Sequence, residues 1–266
     1  MKFDDLDRSM RRFEQSLDQT ILPELYLAAR LDGRGFTRLT KEVMRFEAPF
    51  DERFRDGMAD TVRQLMSCGF RVVYGYTQSD EISLLFHPAE QAFDRKVRKY
   101  NSILAGEASA ALSLKLGCAA VFDCRLIPLP NMERVKDYFL WRQEDAHRNA
   151  LNAHCYWMLR KEGLSAKDAA AHLENRSISY KNELLFSRGV NFNRFPAWQK
   201  RGIGLYWEKY EKTGVNPVTE KNETAVRRRL KTDTKLPIRS DYAQMIEGML
   251  TQAQQQSKDS DSTSNK

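Results

Sequence analysis

Three carboxylates stand at predicted turns where distant parts of the chain can meet. Asp32 ends an apolar run, and Asp80 and Glu81 lie in a polar segment between two runs rich in β-branched and aromatic residues. Such runs predict strands, and the polar segment predicts a hairpin turn. Gathered carboxylates repel one another unless a cation lies among them, and two divalent ions are the usual solution in enzymes that displace phosphate groups. The three residues therefore predict a catalytic magnesium site.

Each motif also has a plain structural explanation. Asp32-Gly33 is a common turn dipeptide, and Ser79-Asp80-Glu81 is a common polar hairpin. Either motif alone favours that explanation, because backbone geometry accounts for it. Both together, on strands that the topology makes neighbours, favour the metal site.

The glycine-rich turn after the first carboxylate suits an anion. The chain reads Gly33-Arg34-Gly35-Phe36-Thr37 there, and two glycines let backbone N–H groups turn toward a phosphate. The guanidinium of Arg34 can add two hydrogen bonds to the same group. The sequence holds neither G-x-x-x-x-G-K-[ST] nor G-x-G-x-x-G, so P-loop and Rossmann sites are unsupported.

The elements that must position these residues follow one order. Apolar patterns predict helix 3–17, strand 25–31, helix 51–67, strand 70–76, strand 81–86, helix 92–116 and strand 119–125. After the opening helix this is the βαββαβ order, an antiparallel sheet with helices on one face and the other face open for ligands. Its first and third strands are central neighbours, which brings the three carboxylates to one sheet edge. The predicted fold class is α+β: a ferredoxin-like (βαββαβ) polymerase-palm domain with a mostly helical C-terminal region.

The predicted domain organisation has three parts. Residues 1–130 form the palm-like catalytic domain with its N-terminal helix. Residues 131–250 form a mostly helical region, because helical spacing of apolar residues covers much of it. Residues 251–266 are predicted to be a disordered tail, since they are mainly Gln, Ser, Asp and Lys with no apolar residue after Ala253.

Composition restricts the class of protein. The 266 residues are 41% hydrophobic, enough for a sizeable core, and 43 Lys and Arg against 36 Asp and Glu give a formal net charge of +7. That excess favours polyanionic partners. Apolar runs fall far short of the roughly 20 residues that cross a bilayer, and the chain opens with acidic residues instead of an apolar leader. We therefore expect no membrane association and a cytoplasmic location.

Cysteines and histidines do not predict a metal cage. The four cysteines form no C-x-x-C pair, which suits reduced thiols in a cytosol. His147 and His154, seven residues apart, suit either a base or ligand pair or buried structural residues. Any metal must therefore be held mainly by oxygen, which indicates a hard cation such as magnesium. No Ser-His-Asp or Cys-His spacing supports covalent hydrolase chemistry.

Two basic segments are candidate nucleic-acid surfaces. The first interleaves basic and aromatic residues: Lys181, Arg188, Arg194, Trp198, Lys200 and Arg201. The second is more purely basic: Arg227, Arg228, Arg229, Lys231, Lys235 and Arg239. Such residues hold a phosphate backbone with an affinity that falls as salt rises. A solvated helix face is the alternative explanation.

Four motifs taken together resemble a known family. They are Leu31-Asp32-Gly33-Arg34-Gly35-Phe36, Gln78-Ser79-Asp80-Glu81-Ile82-Ser83-Leu84-Leu85-Phe86, Trp141-Arg142-Gln143 leading into His147, and Tyr180-Lys181-Asn182-Glu183-Leu184-Leu185-Phe186. In this order they resemble the tRNA-His guanylyltransferase-like family, the polymerases that add nucleotides in the 3′ to 5′ direction. The resemblance covers roughly Phe3 to Trp207.

The resemblance implies a two-metal mechanism. Asp32, the Gly33 carbonyl and Asp80 would bind two Mg²⁺ ions, with Asp32, Asp80 and Glu81 as the catalytic residues. Nucleotide binding would fall to Gly33, Arg34, Gly35, Phe36, Thr37 and Ser79. Contacts to tRNA or a second nucleotide would fall to His147, Asn149, Lys181 and Asn182, joined by Arg188, Lys200 and Arg201 of the first basic segment.

The resemblance also implies an activity. Family members activate a tRNA 5′ end with a nucleoside triphosphate, GTP or ATP. The 3′-hydroxyl of an incoming nucleotide then attacks that end and releases pyrophosphate. The region 131–250 would contact tRNA and complete the fold, and a homo-oligomer, a tetramer in this family, is implied.

The departures from the family pattern concern selectivity. Thr37 stands where eukaryotic members carry histidine, their Lys-Pro-Asn-Asp reads Ala48-Pro49-Phe50-Asp51 here, and their His-Ile-Asn-Asn-Leu-Tyr-Asn is only partly matched over 147–153. These departures favour template-dependent repair of 5′-truncated tRNA, with addition of G−1 to tRNA-His as a variant of the same reaction. The alternatives are a palm-fold nucleotide cyclase and a non-catalytic RNA-binding protein, and the retained carboxylates argue against the second.

Overall fold

One antiparallel sheet lies at the centre of the structure, a computed structural model that describes residues 2–215 and 222–263. Its strands are β1 Tyr26–Gly33, β2 Val72–Gln78, β3 Glu81–Phe86, β4 Phe122–Leu129, β5 Ile203–Val215 and β6 Asn222–Asp233. Their spatial order is β4-β1-β3-β2-β5-β6, and each neighbouring pair is antiparallel. The α+β class is confirmed, and β1 lies beside β3 as the sequence predicts.

Helices flank the sheet. They are α1 Phe3–Glu14, α2 Phe36–Arg38, α3 Glu52–Leu65, α4 Val97–Leu116, α5 Met132–Lys161, α6 Ala166–Leu173, α7 Ile178–Phe186, α8 Ala197–Arg201 and α9 Arg239–Thr263. A π-helical turn, Leu39–Val43, follows α2 directly, and 3₁₀ turns lie at Ala92–Arg95 and Phe192–Arg194. Across the described ranges, no helix combines the length and the apolar content that a bilayer crossing requires.

The first face of the sheet carries the larger core. Leu31 of β1 and Leu84 of β3 are fully buried there. They pack beneath Val62 of α3 and Leu104 of α4, which are also fully buried. Each helix places apolar residues three or four apart on the side that meets the sheet, so the hydrophobic effect fixes both helices on this face.

The second face is also covered, which corrects the expectation of an open face. Ala28 and Leu85 point to this side and pack with Phe139 of α5 and with Tyr242 and Ile246 of α9. A strand buried on both faces is a continuous apolar run, and such a run does not indicate how many layers cover it. Among β1 to β4, the end of the sheet near Asp32 remains accessible.

Gly75 marks a place where backbone must approach a helix closely. It pairs with Leu84 and Leu205, and a Cβ atom there would lie 2.4 Å from Val62 Cγ1 of α3. We expect Gly75→Ala to lower the free energy of unfolding by about 2 kcal/mol through overpacking. Urea unfolding measures it. Gly106→Ala, where nothing lies within 4 Å of the added atom, is the control and should be neutral or stabilising. Equal stability of Gly75→Ala and wild type would contradict the packing.

The C-terminal region contains the predicted helices, α5 to α8 and the start of α9, together with two strands that the sequence did not predict. β5 and β6 form a long hairpin that extends the sheet through pairs such as Tyr74 with Tyr206. Charged residues fill half of the described strand positions beyond Trp207, which hides the strand alternation in the sequence. Much of the second basic segment therefore lies on a strand, where a helix face was the alternative considered.

The end of the chain also differs from the prediction of a disordered tail over 251–266. α9 continues to Thr263, while 264–266 lie outside the described residues. Leu250 is fully buried and His87 Nε2 donates to the Ala253 carbonyl over 2.9 Å. These contacts attach the helix to the sheet, and composition alone does not reveal them.

Candidate active site

Asp32, Asp80 and Glu81 come together where β1 and β3 meet. Asp32 and Glu81 are register partners on these strands. The turn between β2 and β3 is Ser79-Asp80, and Ser79 has a φ of 54°, the left-handed conformation that tight hairpins need. The Gly33 amide donates to the Asp80 carbonyl over 3.1 Å, which holds the turn against β1. The three carboxylates therefore line one cavity of about 370 Å³.

The surroundings disfavour the charged form of two of these carboxylates. Burial raises the pKa of Asp80, and the charge of Asp32 raises it further, although a hydrogen bond from Ser79 Oγ opposes the rise. Burial also raises the pKa of Glu81, with Arg142 as the main opposing charge. A cation among the carboxylates would remove this penalty.

Arg142 of α5 closes the cavity opposite the turn. Its side chain is 4% exposed, with Nε 3.4 Å from Glu81 Oε1 and Nη2 2.5 Å from Asp145 Oδ2. Arg142 Nε and the Tyr76 hydroxyl are buried without a hydrogen-bond partner among the described residues. Arg142 is predicted only as part of a family motif, and Asp145 is not predicted, because the tertiary fold alone brings α5 across β3. Tyr76 is predicted only as a strand residue, and its apolar neighbours on β2 give no signal that its hydroxyl faces the cavity.

The donor atoms in the cavity fit a hard cation. Within 2–215 and 222–263, no group of three or more His, Cys, Asp or Glu side chains is arranged to hold an ion. Asp32 and Asp80 supply two carboxylates, while Glu81 is paired with Arg142. Mg²⁺ prefers oxygen and completes its shell with water and substrate phosphates. The residues thus suit magnesium bound together with a phosphate, and they do not form a closed metal cage.

In the glycine turn beside the carboxylates, some side chains are buried in the core and others are exposed to solvent. Gly35 has a φ of 71° and is the N-cap residue of α2. The Phe36 ring is buried, so only the main chain of this residue can face a ligand, whereas Arg34 and Thr37 are exposed. A Cβ atom at Gly33 would lie 2.6 Å from the Phe36 ring, which makes glycine necessary there.

An aromatic cavity of about 110 Å³ adjoins the hairpin turn, and no sequence motif predicted it. The aromatic residues that line it are Phe46, Phe50, Phe54, Trp157 and Trp198. Gln78 and Ser79 line both this cavity and the carboxylate cavity. Walls of this kind suit a planar ring that stacks on them.

The one aspartate in that lining set has its hydrogen-bonding capacity filled. Asp51 Oδ2 accepts from the Glu47 amide over 2.8 Å and from Arg53 Nη2 over 2.6 Å. Its Oδ1 accepts from the Arg53 amide over 2.7 Å and from Arg53 Nε over 3.1 Å. The hydrogen bond from the Arg53 side chain is the largest cause that holds the pKa of Asp51 well below its usual range.

The residues predicted to contact tRNA or a second nucleotide do not form one cluster. Asn149 lines the carboxylate cavity, whereas His147, Lys200 and Arg201 line a separate cleft of about 540 Å³. The others lie on or just after α7, and they are Lys181, Asn182 and Arg188.

Three of the predicted cations already have partners within the protein. Lys200 is 7% exposed and donates from Nζ to a main-chain carbonyl over 2.7 Å. Arg201 Nη1 donates to the Leu236 carbonyl over 3.0 Å. Arg188 forms an ion pair with Glu162. These side chains support the local structure. They can attract RNA through their positive charge more readily than through direct hydrogen bonds.

His154 belongs to the core and does not pair with His147. Its ring stacks on Phe195 with centroids 3.7 Å apart, and Nε2 contacts Gln199 Oε1 at 3.1 Å. Burial, chiefly, lowers the pKa of His154 to about 4. This is the structural alternative considered for the histidine pair.

The lowered pKa of His154 predicts a loss of stability in acid. The unfolded chain binds a proton below about pH 6.5 and the folded chain only near pH 4, so stability falls by up to about 3 kcal/mol across that window. Thermal unfolding from pH 7.5 to 4.5 measures it. His154→Phe keeps a ring against Phe195 and should show a shallower fall. An identical pH dependence in wild type and variant would contradict the assignment.

Comparison with known proteins identifies the family to which the chain belongs. The family model for tRNAHis guanylyltransferase matches residues 7–130, and the model for the Thg1 C terminal domain matches residues 133–247. The chain belongs to the tRNA-His guanylyltransferase family. This confirms the resemblance of the four motifs and makes the chain a nucleotidyltransferase.

Relatives of this tRNA-His guanylyltransferase family member match most of its length. A probable tRNA(His) guanylyltransferase of Drosophila melanogaster is 34% identical over 206 residues, 74% of this chain and 71% of that protein. The tRNA(His) guanylyltransferase of Neurospora crassa is 32% identical over 228 residues, 80% of this chain and 75% of that protein.

A solved structure matches the family member over almost its whole length. A bacterial Thg1-like protein in complex with GTP has a TM-score of 0.69 and 26% identity, covering 92% of this chain and 99% of that chain. The same values apply to the complex with ATP.

Proposed function

We propose that this chain is a template-dependent 3′-5′ nucleotidyltransferase that adds nucleotides to the 5′ end of tRNA and so repairs truncated tRNA. The observation that carries the proposal is the meeting of Asp32 and Asp80 in one cavity, beside a glycine turn and an aromatic cavity. Metal ions, a triphosphate and a base thus each have a complementary surface. The names of the relatives support tRNA as the substrate class.

A ferredoxin-like polymerase palm is the fold we assign to the catalytic part. The strand order β4-β1-β3-β2, with α3 and α4 on one face, supports it. We divide the chain into a catalytic region, 1–130, and a tRNA-interacting region, 131–250. The two family models, one ending at 130 and the other beginning at 133, support that division.

Asp32, the Gly33 carbonyl and Asp80 would hold two Mg²⁺ ions. Bound magnesium supplies charge neutralisation on a triphosphate and lowers the pKa of an attacking hydroxyl. Asp32 and Asp80 act from fixed positions, because the tight turn and the bond from the Gly33 amide restrain them. Glu81 completes the catalytic set by adding negative charge beside Asp32 and by fixing Arg142.

GTP and ATP are the proposed nucleotide substrates, and the two complexes of the bacterial relative support them. The triphosphate would lie along the residues from Gly33 to Thr37 and against Ser79. The helix that starts at Phe36 leaves its first amides without intrahelical partners, and such amides bind anions. The base would stack in the aromatic cavity.

Base choice by a template is supported by the wall of the aromatic cavity. All four acceptor positions of Asp51 are occupied by Glu47 and Arg53. This carboxylate therefore has no capacity left to select guanine through its N–H groups. Stacking on aromatic walls accepts every base, so pairing with a template is the proposed source of selectivity.

The tRNA would be contacted by residues of α5, α7 and α8 and the segment after α7, namely His147, Asn149, Lys181, Asn182, Arg188, Lys200 and Arg201. Lys181 and Asn182 are half-buried on α7, and Asn149 faces the carboxylates. A homotetramer is the assembly we propose, on the basis of the family resemblance alone. A cytoplasmic location is supported by the free thiols of all four cysteines, Cys68, Cys118, Cys124 and Cys155.

An incorporation assay tests the proposed function. Purified protein, Mg²⁺ and each nucleoside triphosphate are incubated with tRNAs that lack one or more 5′ nucleotides, and extension should follow complementarity to the opposite strand. Nucleotide consumption without RNA would indicate a cyclase. Salt-sensitive tRNA binding without incorporation would indicate a non-catalytic binding protein. Either outcome contradicts the proposal, and guanylate addition regardless of template would contradict its template dependence.

A further inference from the structure

Trp141 is a large aromatic side chain that the fold leaves unusually exposed. It lies on α5 and is 55% exposed, although the helix on both sides of it packs on the sheet. The Arg142 guanidinium lies over its ring, 4.0 Å from the centroid. That contact covers part of the indole, and the exposed remainder is available to a second planar group.

The exposed part of Trp141 opens onto the cleft of about 540 Å³. Ile178 and Ile238, which are 45% and 41% exposed, line the same cleft. Lys200, Arg201 and Arg239 also line it, against the single carboxylate of Glu144. The cleft thus combines apolar surface with an excess of positively charged residues.

Nucleic acid is the partner that presents the complement of this cleft. A nucleobase offers a flat apolar face and the adjoining phosphate offers negative charge. Arg142 also connects the cleft to the carboxylates, since the guanidinium that covers Trp141 reaches Glu81 with its Nε. A base stacked on the face of Trp141 that Arg142 leaves open would therefore be separated from Glu81 by the indole ring and the guanidinium.

We propose that Trp141 is a stacking platform for a base at the 5′ end of the RNA substrate, with the flanking phosphate in the field of Arg201 and Arg239. The inference rests on the proposed function in taking RNA as the substrate. It goes further in assigning the end of that RNA to a defined side chain. Trp141 would act on RNA binding, and the triphosphate site would be independent of it.

Binding and kinetics of Trp141→Ala test the proposal. We expect Kd and KM for 5′-truncated tRNA to rise about tenfold, because the loss of base stacking on an aromatic ring weakens binding by about that factor. KM for the nucleotide should be unchanged. Trp141→Phe should retain much of the affinity, because a smaller ring still stacks. Phe13→Ala, which removes a ring that is 71% exposed on α1, is the control and should leave Kd unchanged.

Tryptophan fluorescence supplies a readout that does not depend on activity. RNA should quench the wild-type protein, and Trp141→Phe should lose most of that quenching. Unchanged tRNA affinity in Trp141→Ala, with quenching retained in Trp141→Phe, would overturn the inference. A change in sedimentation without a change in tRNA affinity would overturn it too and would assign the cleft to a second copy of the chain. Stacking without nucleotide addition would instead remove the proposed function alone.

Discussion

Changing Asp80 to Asn is expected to lower the rate of nucleotide addition by about a thousandfold or more, equivalent to about 4 kcal/mol of transition-state stabilisation. The amide keeps the shape of the carboxylate and can still accept a hydrogen bond from Ser79 Oγ. It removes the negative charge that would hold Mg²⁺ beside Asp32. A single-turnover extension assay at saturating nucleotide measures the loss.

The same variant should be at least as stable as the wild type without metal. Burial and the nearby Asp32 raise the pKa of Asp80, so the folded state gains when that charge is absent. Mg²⁺ with nucleotide should raise the Tm of the wild type, and this increase should be lost in Asp80→Asn. Asp137→Asn, an exposed carboxylate paired with Arg134 at 2.8 Å, is the matched control. Normal extension by Asp80→Asn would remove Asp80 from the metal-binding set.

The catalytic end of the fold could be predicted from sequence because its signals are local. Apolar runs define β1 to β4, and the Ser79-Asp80 turn fixes the register between β2 and β3. Once the strand order is assumed, Asp32 and Glu81 must be neighbours. The hairpin of β5 and β6 gave no such signal, because its outer half is solvated on both faces and no apolar alternation is maintained along it.

The parts of the site that could not be predicted depend on helix packing. Arg142 and Asp145 are separated from Glu81 in the sequence by β3, α4, β4 and the first part of α5, and no periodicity specifies how α5 crosses the sheet. Phe36 shows that side-chain direction also could not be predicted. It belongs to a motif that implies nucleotide contact, but its ring fills the core, so only its main chain remains for a ligand. Sequence patterns indicate which residues cluster and leave side-chain direction to tertiary contacts.

Replacing Arg142 by Met is expected to reduce the free energy of unfolding by about 3 kcal/mol, because it removes the main counter-charge of Glu81 and the ion-pair partner of Asp145. The methionine fills much of the volume, so the loss reports charge more than packing. Glu81, whose side chain is 23% exposed, should be affected more than the 44% exposed Asp145. Adding Glu81→Gln to Arg142→Met should therefore restore part of the stability, and urea unfolding of the four proteins of this cycle measures the coupling.

Arg134→Met on the same helix is the control for this cycle. Arg134 also pairs with an aspartate three residues later, at 2.8 Å, but its side chain is 65% exposed. Solvent screens such a pair, so its removal should cost less than about 1 kcal/mol. Equal losses from Arg134→Met and Arg142→Met would mean that Arg142 is not a buried counter-charge. A large loss of stability in Arg142→Met alone, relieved by Glu81→Gln, would instead show that the packing of α5 on the sheet depends on the charge of Glu81, the residue paired with Asp32.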